Sequence, residues 1–161
     1  MNPSIMLLTI MVLHLPPSGY AAVTVAPAPS FSDPTVLVAW LIKNSGAGFN
    51  VMDETANAAV LTPGLRAALR VSLARSRQRN EPPCGANGDI ILGTQEEGAA
   101  QNVRLSAEAT APDRQAVSAS FDIVGSHRTL KYMTVLLDGA WKVENIISEG
   151  VSLRRSLDCK R

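Results

Sequence analysis

The side chains able to do chemistry are few in this chain, and their spacing limits what they can do together. Beyond residue 21 there is one histidine, His127, in the turn Gly125-Ser126-His127-Arg128, with no carboxylate matched to it as an acid/base dyad. No His/Cys cluster has metal-ligand spacing, and neither a Gly-x-Ser-x-Gly elbow nor a Gly-rich phosphate loop occurs. No catalytic residue, metal ligand or cofactor is therefore assigned. Asp122 is the most tempting acid, but it alternates in phase with Ser118 and Ser120, which places it on a solvated face. Asn145 follows Trp141 and Val143 on a face that otherwise reads dry. A buried amide there must find partners, either a ligand that it orients or a backbone group at a bulge. Trp40, Tyr132, Trp141 and Asn145 are the candidate pocket residues, with plain core as the alternative for the aromatics.

The element that must position most of these residues is a hairpin around Asp138-Gly139, a strong two-residue turn signal. A two-residue loop sets Leu136 opposite Trp141 and Tyr132 opposite Asn145. A three-residue loop sets Leu137 opposite Trp141, Val135 opposite Val143 and Met133 opposite Asn145. Turn chemistry favours the first. The second separates polar Tyr132, Thr134, Lys142 and Glu144 from the apolar residues, and it is the register expected here.

Upstream, Asp33-Pro34 opens a first helix and Thr62-Pro63 a third, each pairing an N-cap with a proline at the first helical position. Val36 to Ile42 is apolar nearly all round, which predicts burial on more than one side, and Asn44, Gly46 and Gly48 stop the helix. Asp53–Val60 reads as a short second helix. The third runs from Pro63 to about Arg77, with Leu61, Leu65, Ala68, Leu69 and Leu73 on one stripe and Arg66, Arg70 and Arg77 off it. Asp89–Leu92 reads as a short strand. Two alternating runs follow, with Val103, Leu105 and Ala107, then Val117, Ala119, Phe121 and Ile123, directed inward. A short helix is allowed in the tail, residues 152–161.

Composition bounds the partners. The 161 residues are 46% hydrophobic and 18% charged with net charge +1, which fits one globular domain. Near-neutral charge and only 4% aromatic residues argue against nucleic acid. No charged side chain precedes Asp33, and the apolar run Ile5–Leu15 is too short for a bilayer core, which needs about 20 residues. Pro16-Pro17 and then Gly19-Tyr20-Ala21 complete the layout of a signal peptide, residues 1–21, although its start lacks Lys or Arg. Residues 22–32 read as a Pro/Ala-rich linker and 33–161 as a single domain without a membrane span. The expected location is periplasmic or secreted. There an even cysteine count favours a Cys84–Cys159 bridge tying the tail to the body, against the alternative of two separate thiols.

Helices first and antiparallel strands after predict an α+β domain. An exported leader, an Asp-Pro helix, a Leu61-Thr62-Pro63-Gly64-Leu65 helix start, a strand meander and a closing Asp138-Gly139-Ala140-Trp141-Lys142-Val143 resemble the nuclear-transport-factor-two-like superfamily. Within it the chain is most similar to exported bacterial domains of unknown function, whose late Asp-Gly-x-Trp strand precedes a Ser-Leu-Arg tail like Ser152–Arg154. The resemblance covers about Asp33 to Leu157, and the first helix is short for that fold. It implies a curved antiparallel sheet forming a cone, with two or three N-terminal helices packed in its concavity and often an apolar pocket inside. Relatives include isomerases, cyclases and dehydratases beside members that only bind or assemble, so fold alone does not assign activity.

Three readings compete. The favoured one is an exported, non-catalytic domain that binds a small apolar ligand or an envelope protein. The alternative is an isomerase- or dehydratase-type enzyme using Asp122, Asn145 or Tyr132, which requires a carboxylate inside the cone with a raised pKa. A third is an inhibitor or immunity factor engaging a partner through the Arg-rich stretch Leu65–Arg79. Dimerisation through the sheet is common in the superfamily, and no residue here decides for or against a homodimer.

Overall fold

The computed structural model describes residues 29–45, 50–86 and 88–159. The expected signal peptide, most of the linker and the Gly46 and Gly48 helix stop lie outside these residues. Among the described residues, four helices and five strands run in the order α1 (Pro34–Ser45), α2 (Glu54–Ala58), α3 (Pro63–Arg79), β1 (Gln101–Ala111), β2 (Arg114–Ile123), β3 (Ser126–Leu137), β4 (Ala140–Ser148), β5 (Val151–Ser152) and α4 (Leu153–Leu157). The strands form one curved antiparallel sheet in sequence order. The expected α+β architecture is the one observed. No helix among the described residues is long and apolar enough to cross a membrane.

Each main helix starts where its cap chemistry dictates. Asp33 Oδ1 accepts the Thr35 N–H at 2.7 Å and the Val36 N–H at 3.3 Å, filling donors that the first helical turn leaves open. Asp53 does the same for α2, and Thr62 Oγ1 accepts the Leu65 N–H at 3.2 Å to start α3. Helix α3 ends at Asn80, whose left-handed backbone returns its N–H to the Ser76 carbonyl. Helix α1 departs from expectation. Leu37, Val38, Leu41 and Ile42 are buried, but Val36 is 55% exposed. The helix contacts β1, β2 and β4, so the sheet covers one flank and leaves the other wet.

Asp89–Leu92 does not form a strand. Asp89 and Thr94 exchange both backbone hydrogen bonds across a tight turn, and the Asp89 carboxylate accepts the Ile91 and Leu92 N–H groups at 2.8 and 3.0 Å. Ile90, Ile91 and Leu92 are buried as a plug in the core. An aspartate at the head of the run supplies local acceptors that compete with a ladder. Strand β1 also departs from the alternation. Val103 is 40% exposed and Leu105 only half-buried: β1 is an edge strand, and its register with β2 is irregular between Gln101 and Arg104. In β2 the expected inward set Val117, Ala119, Phe121 and Ile123 is fully buried.

The β3–β4 hairpin uses both registers that its sequence allows. Asp138 and Gly139 take positive φ, 52° and 78°, and the two-residue loop pairs Leu137 with Ala140 and Leu136 with Trp141. The register then shifts by one residue, so that Met133 faces Asn145 and Tyr132 faces Ile146. Glu144 is the extra residue, the signature of a β-bulge. The three-residue loop expected from the pattern is therefore wrong at the turn, while its pairing of Met133 with Asn145 holds beyond the bulge. Tyr132 and Thr134 are buried and Val143 shares their side of the sheet, which reverses the expected wet face of β3.

Backbone hydrogen bonds tie the helical layer to the sheet, and a disulfide ties it to α4. The free edge of β4 is strapped by the chain on either side of α1 and α2: Trp141 N–H donates to Phe31 O and Val143 N–H to Val60 O, each at 2.8 Å. Cys84 and Cys159 form a disulfide with Cα atoms 5.6 Å apart, closing 75 residues of chain. It staples the turn after α3 to the end of α4.

Candidate functional site

Register on β2, β3 and β4 builds the site. On the inner face, Arg128 lies opposite Phe121, Leu130 lies between Ala119 and Ser148, and Tyr132 lies between Val117 and Ile146. The row from Tyr132 to Leu130 is core. Arg128 continues it to the end of the sheet, where the helices no longer cover it. There the Asp89–Thr94 turn, the β5 segment and α4 close around an open cleft of about 550 Å³, a size that suits a small organic ligand.

The cleft is apolar along one side and charged at one end. Ile90, Leu130, Ile146, Val151 and Leu153 supply the apolar wall, Arg128 the cation, and Gln95, Glu96, Ser148 and Ser156 a polar rim. The Arg128 Nη1 approaches Glu149 at 3.7 Å, but Glu149 is 82% exposed and the contact is weak. Arg128 Nε is buried and, among the described residues, has no hydrogen-bond partner. Asp89 also lines the cleft, yet its carboxylate is occupied: it accepts two backbone N–H groups and the Ser45 hydroxyl, the last at 2.6 Å. Gly93 lets the turn approach the sheet. Its φ is +62°, and a Cβ there would lie 3.0 Å from the Leu130 side chain.

None of the four residues expected to line a pocket lines this cleft. Trp40 is half-buried and stacks at an angle on Phe31, with ring centroids 5.7 Å apart. Trp141 is core. Tyr132 is fully buried and its hydroxyl donates to Ile91 O at 2.6 Å. Burial, aided by the negative charge of Asp89, pushes that phenol far above its ordinary pKa. The bulge at Glu144 turns Asn145 off the dry face. Its Oδ1 accepts the Arg154 N–H at 3.1 Å, and its amide bonds with the Ser152 hydroxyl, fastening β4 to the start of α4. It borders a separate shallow groove with Val71 and Arg154.

His127 does have a matched carboxylate, contrary to the reading from sequence. Asp122 is its cross-strand partner, with Nδ1 and Oδ1 2.8 Å apart. Asn102 donates to the other carboxylate oxygen at 2.8 Å. The Asn102 hydrogen bond first, and then that of His127, hold the Asp122 carboxyl below its ordinary pKa. The group lies on the outer face, open to solvent, as the alternation of Asp122 with Ser118 and Ser120 predicts. Among the described residues no Asp or Glu is buried.

Arg128 is the residue that sequence reasoning passed over. Its signal was present: it keeps the two-residue phase of Leu130 and Tyr132, which places an arginine on an inward-facing row. Assigning it to a turn hid that phase.

No protein-family model matches the chain, and no curated protein matches it. Among solved structures the chain is similar to a phospholipid-binding protein from Ralstonia solanacearum, solved in complex with a phospholipid. The two are 16% identical with a TM-score of 0.41, over 80% of this chain and 83% of that chain.

Proposed function

We propose that this chain is an exported, non-catalytic binding domain that holds a small apolar ligand with an anionic end in the cleft at the end of the sheet. The observation that carries the reading is the buried, unpartnered Nε of Arg128 in a cleft with one aliphatic wall, whose lining also carries Asp89, already hydrogen-bonded, and the exposed Glu96. A buried guanidinium Nε–H without an acceptor is costly to maintain, and a carboxylate or phosphate would satisfy it with a charge-assisted hydrogen bond. The aliphatic wall would take the ligand's tail. Export rests on the leader layout of residues 1–21 and on the disulfide, which persists in oxidising compartments. Residues 22–32 would then be a linker and 33–161 the domain, with the nuclear-transport-factor-two-like superfamily as its proposed home.

Native mass spectrometry of the exported protein tests this directly. The expected species begins at Ala22 and carries a small-molecule adduct. Delipidated protein takes up a long-chain carboxylic acid, and Arg128→Met lowers its affinity by about tenfold. Val151→Trp, at an exposed position on the cleft wall, blocks uptake while the fold persists. A bare polypeptide mass with no uptake of such an acid counts against the ligand and turns the search to an envelope protein partner. A retained leader counts against export.

A further inference from the structure

The Arg-rich side of α3 has a use that the cleft does not absorb. Where α2 meets α3 lies a second, smaller cavity of about 190 Å³. Met52, Leu69 and Leu73 form its apolar wall, Asn57 and Arg66 contribute buried polar atoms, and Arg70 and Arg77 border it from exposed positions. Two of those polar atoms are unpartnered among the described residues: the Oδ1 of Asn57 and the Nε of Arg66. Asn57 is only 4% exposed, and its Nδ2 is committed to Val51 O at 3.0 Å, which orients the amide and leaves Oδ1 as the open acceptor. The other end of the Arg66 guanidinium reaches Glu54 O at 3.5 Å. Two residues on the cavity wall thus carry a buried polar atom without a partner, one an acceptor and the other a charged donor.

The surroundings select for negative charge. Arg66, Arg70 and Arg77 outweigh Glu54, the one acid on the cavity wall, which pairs with Arg70 at 3.7 Å between exposed side chains. Lys142 adds a further cation behind it, donating to Ala58 O and Ala59 O at 2.6 and 3.3 Å. Burial and then the charge of Arg66 lower the Lys142 pKa, with Asp138 opposing. Size narrows the ligand further. The volume exceeds the roughly 30 Å³ share of one water, and it falls short of the roughly 300 Å³ at which pockets for drug-sized molecules begin. A group of this size needs an anionic oxygen for Arg66, an N–H for Asn57 and a short apolar branch for Met52, Leu69 and Leu73.

We propose that this cavity binds an α-amido carboxylate, the group found at the C-terminus of a peptide and in a free N-acyl amino acid. The carboxylate sits on Arg66 Nε with Arg70 and Arg77 beside it, the amide N–H donates to Asn57 Oδ1, and an aliphatic side chain packs on the apolar wall.

Nitrogen–proton NMR of the disulfide-bonded protein from Ala22 onward tests it, with N-acetyl-leucine, N-acetyl-leucinamide and inorganic phosphate as probes. N-acetyl-leucine should saturably shift the Arg66 Nε–H and Asn57 side-chain signals. The uncharged amide should bind about tenfold more weakly, and Arg66→Met should cost about the same. Arg70→Gln and Arg77→Gln, at exposed positions that leave the core untouched, should each weaken binding by about twofold to threefold. A short peptide ending in Leu, with free or amidated C-terminus, separates the two sources: tighter binding of the free-ended peptide than of N-acetyl-leucine assigns the site to polypeptide ends, and the reverse to the free metabolite. Equal binding of acid and amide overturns the proposal. Phosphate competing on equal terms reduces the site to a bare anion site, and no saturable shift means that solvent alone occupies it; either result also overturns the proposal.

Discussion

A side chain at Gly85 would place its Cβ 2.6 Å from the Cβ of Ser156 and 2.8 Å from that residue's carbonyl carbon. Gly85 follows Cys84 in the turn after α3, and Ser156 sits in α4, so this contact is where the two ends of the disulfide-closed segment meet. Both residues line the cleft. Because Gly85 has φ +65°, an alanine there is strained as well as crowded. Gly85→Ala should therefore cost more than about 1 kcal/mol in urea unfolding, and it should lower ligand uptake by shifting α4. Unchanged stability would mean that α4 yields freely.

The Cys84–Cys159 bridge closes 75 residues, for which chain entropy allows at most roughly 4 kcal/mol of stabilisation. Cys84→Ser with Cys159→Ser should lose part or all of that in equilibrium unfolding. The loss should match that of the reduced wild type. An intact mass lighter than the reduced chain by two hydrogens is expected for the purified protein.

Asp33 links helix capping to pH. The side-chain hydrogen bond from Thr35, and then the backbone N–H groups of Thr35 and Val36, hold its carboxyl below the ordinary value of 3.8. A depressed carboxyl contributes stability that is complete above its unfolded pKa and fades as pH falls through the lower folded value. Asp33→Ala should cost roughly 1 kcal/mol near pH 7. The gap between wild type and variant should narrow below about pH 4. A gap that stays constant down to pH 2 would show that the carboxylate charge contributes nothing to the cap.

Asn145 serves α4 and not the cleft. Asn145→Ala should destabilise the C-terminal segment by roughly 1 to 2 kcal/mol, because it strips partners from the Arg154 N–H and the Ser152 hydroxyl. Hydrogen exchange should accelerate across α4, with affinity for a long-chain carboxylic acid changed much less than by Arg128→Met. A collapse of that affinity with α4 intact would return Asn145 to a ligand-contacting role.

How much of the molecule was legible depends on how far each decision reaches along the chain. Asp33-Pro34, Thr62-Pro63 and Asp138-Gly139 begin helices or close a turn where they stand in the sequence, since caps and tight turns are settled by hydrogen bonds among a few neighbours. The inward set of β2 was equally plain, because that strand lies inside the sheet with the core on one side. The order of helices then strands was enough for the fold class.

Tertiary structure decided the rest. Val103 and Leu105 alternate as convincingly as Val117 and Ala119, but β1 is an edge strand whose register with β2 is irregular between Gln101 and Arg104, and Val103 stays exposed while Leu105 is half-buried. Ile90 to Leu92 became a plug because the Tyr132 hydroxyl and the Asp89 carboxylate satisfy its backbone from the side. The bulge at Glu144 reconciled a turn and a hydrophobic pattern that disagree by one residue, and it moved Asn145 out of the core. The Asp122–His127 pair and the Arg128 cleft both arise from cross-strand register. Register brings together residues whose partners no local pattern names, so the chain alone determined the capped helices, the tight turn and the fold class, and packing determined the fate of residues 89–92 and which side chains meet.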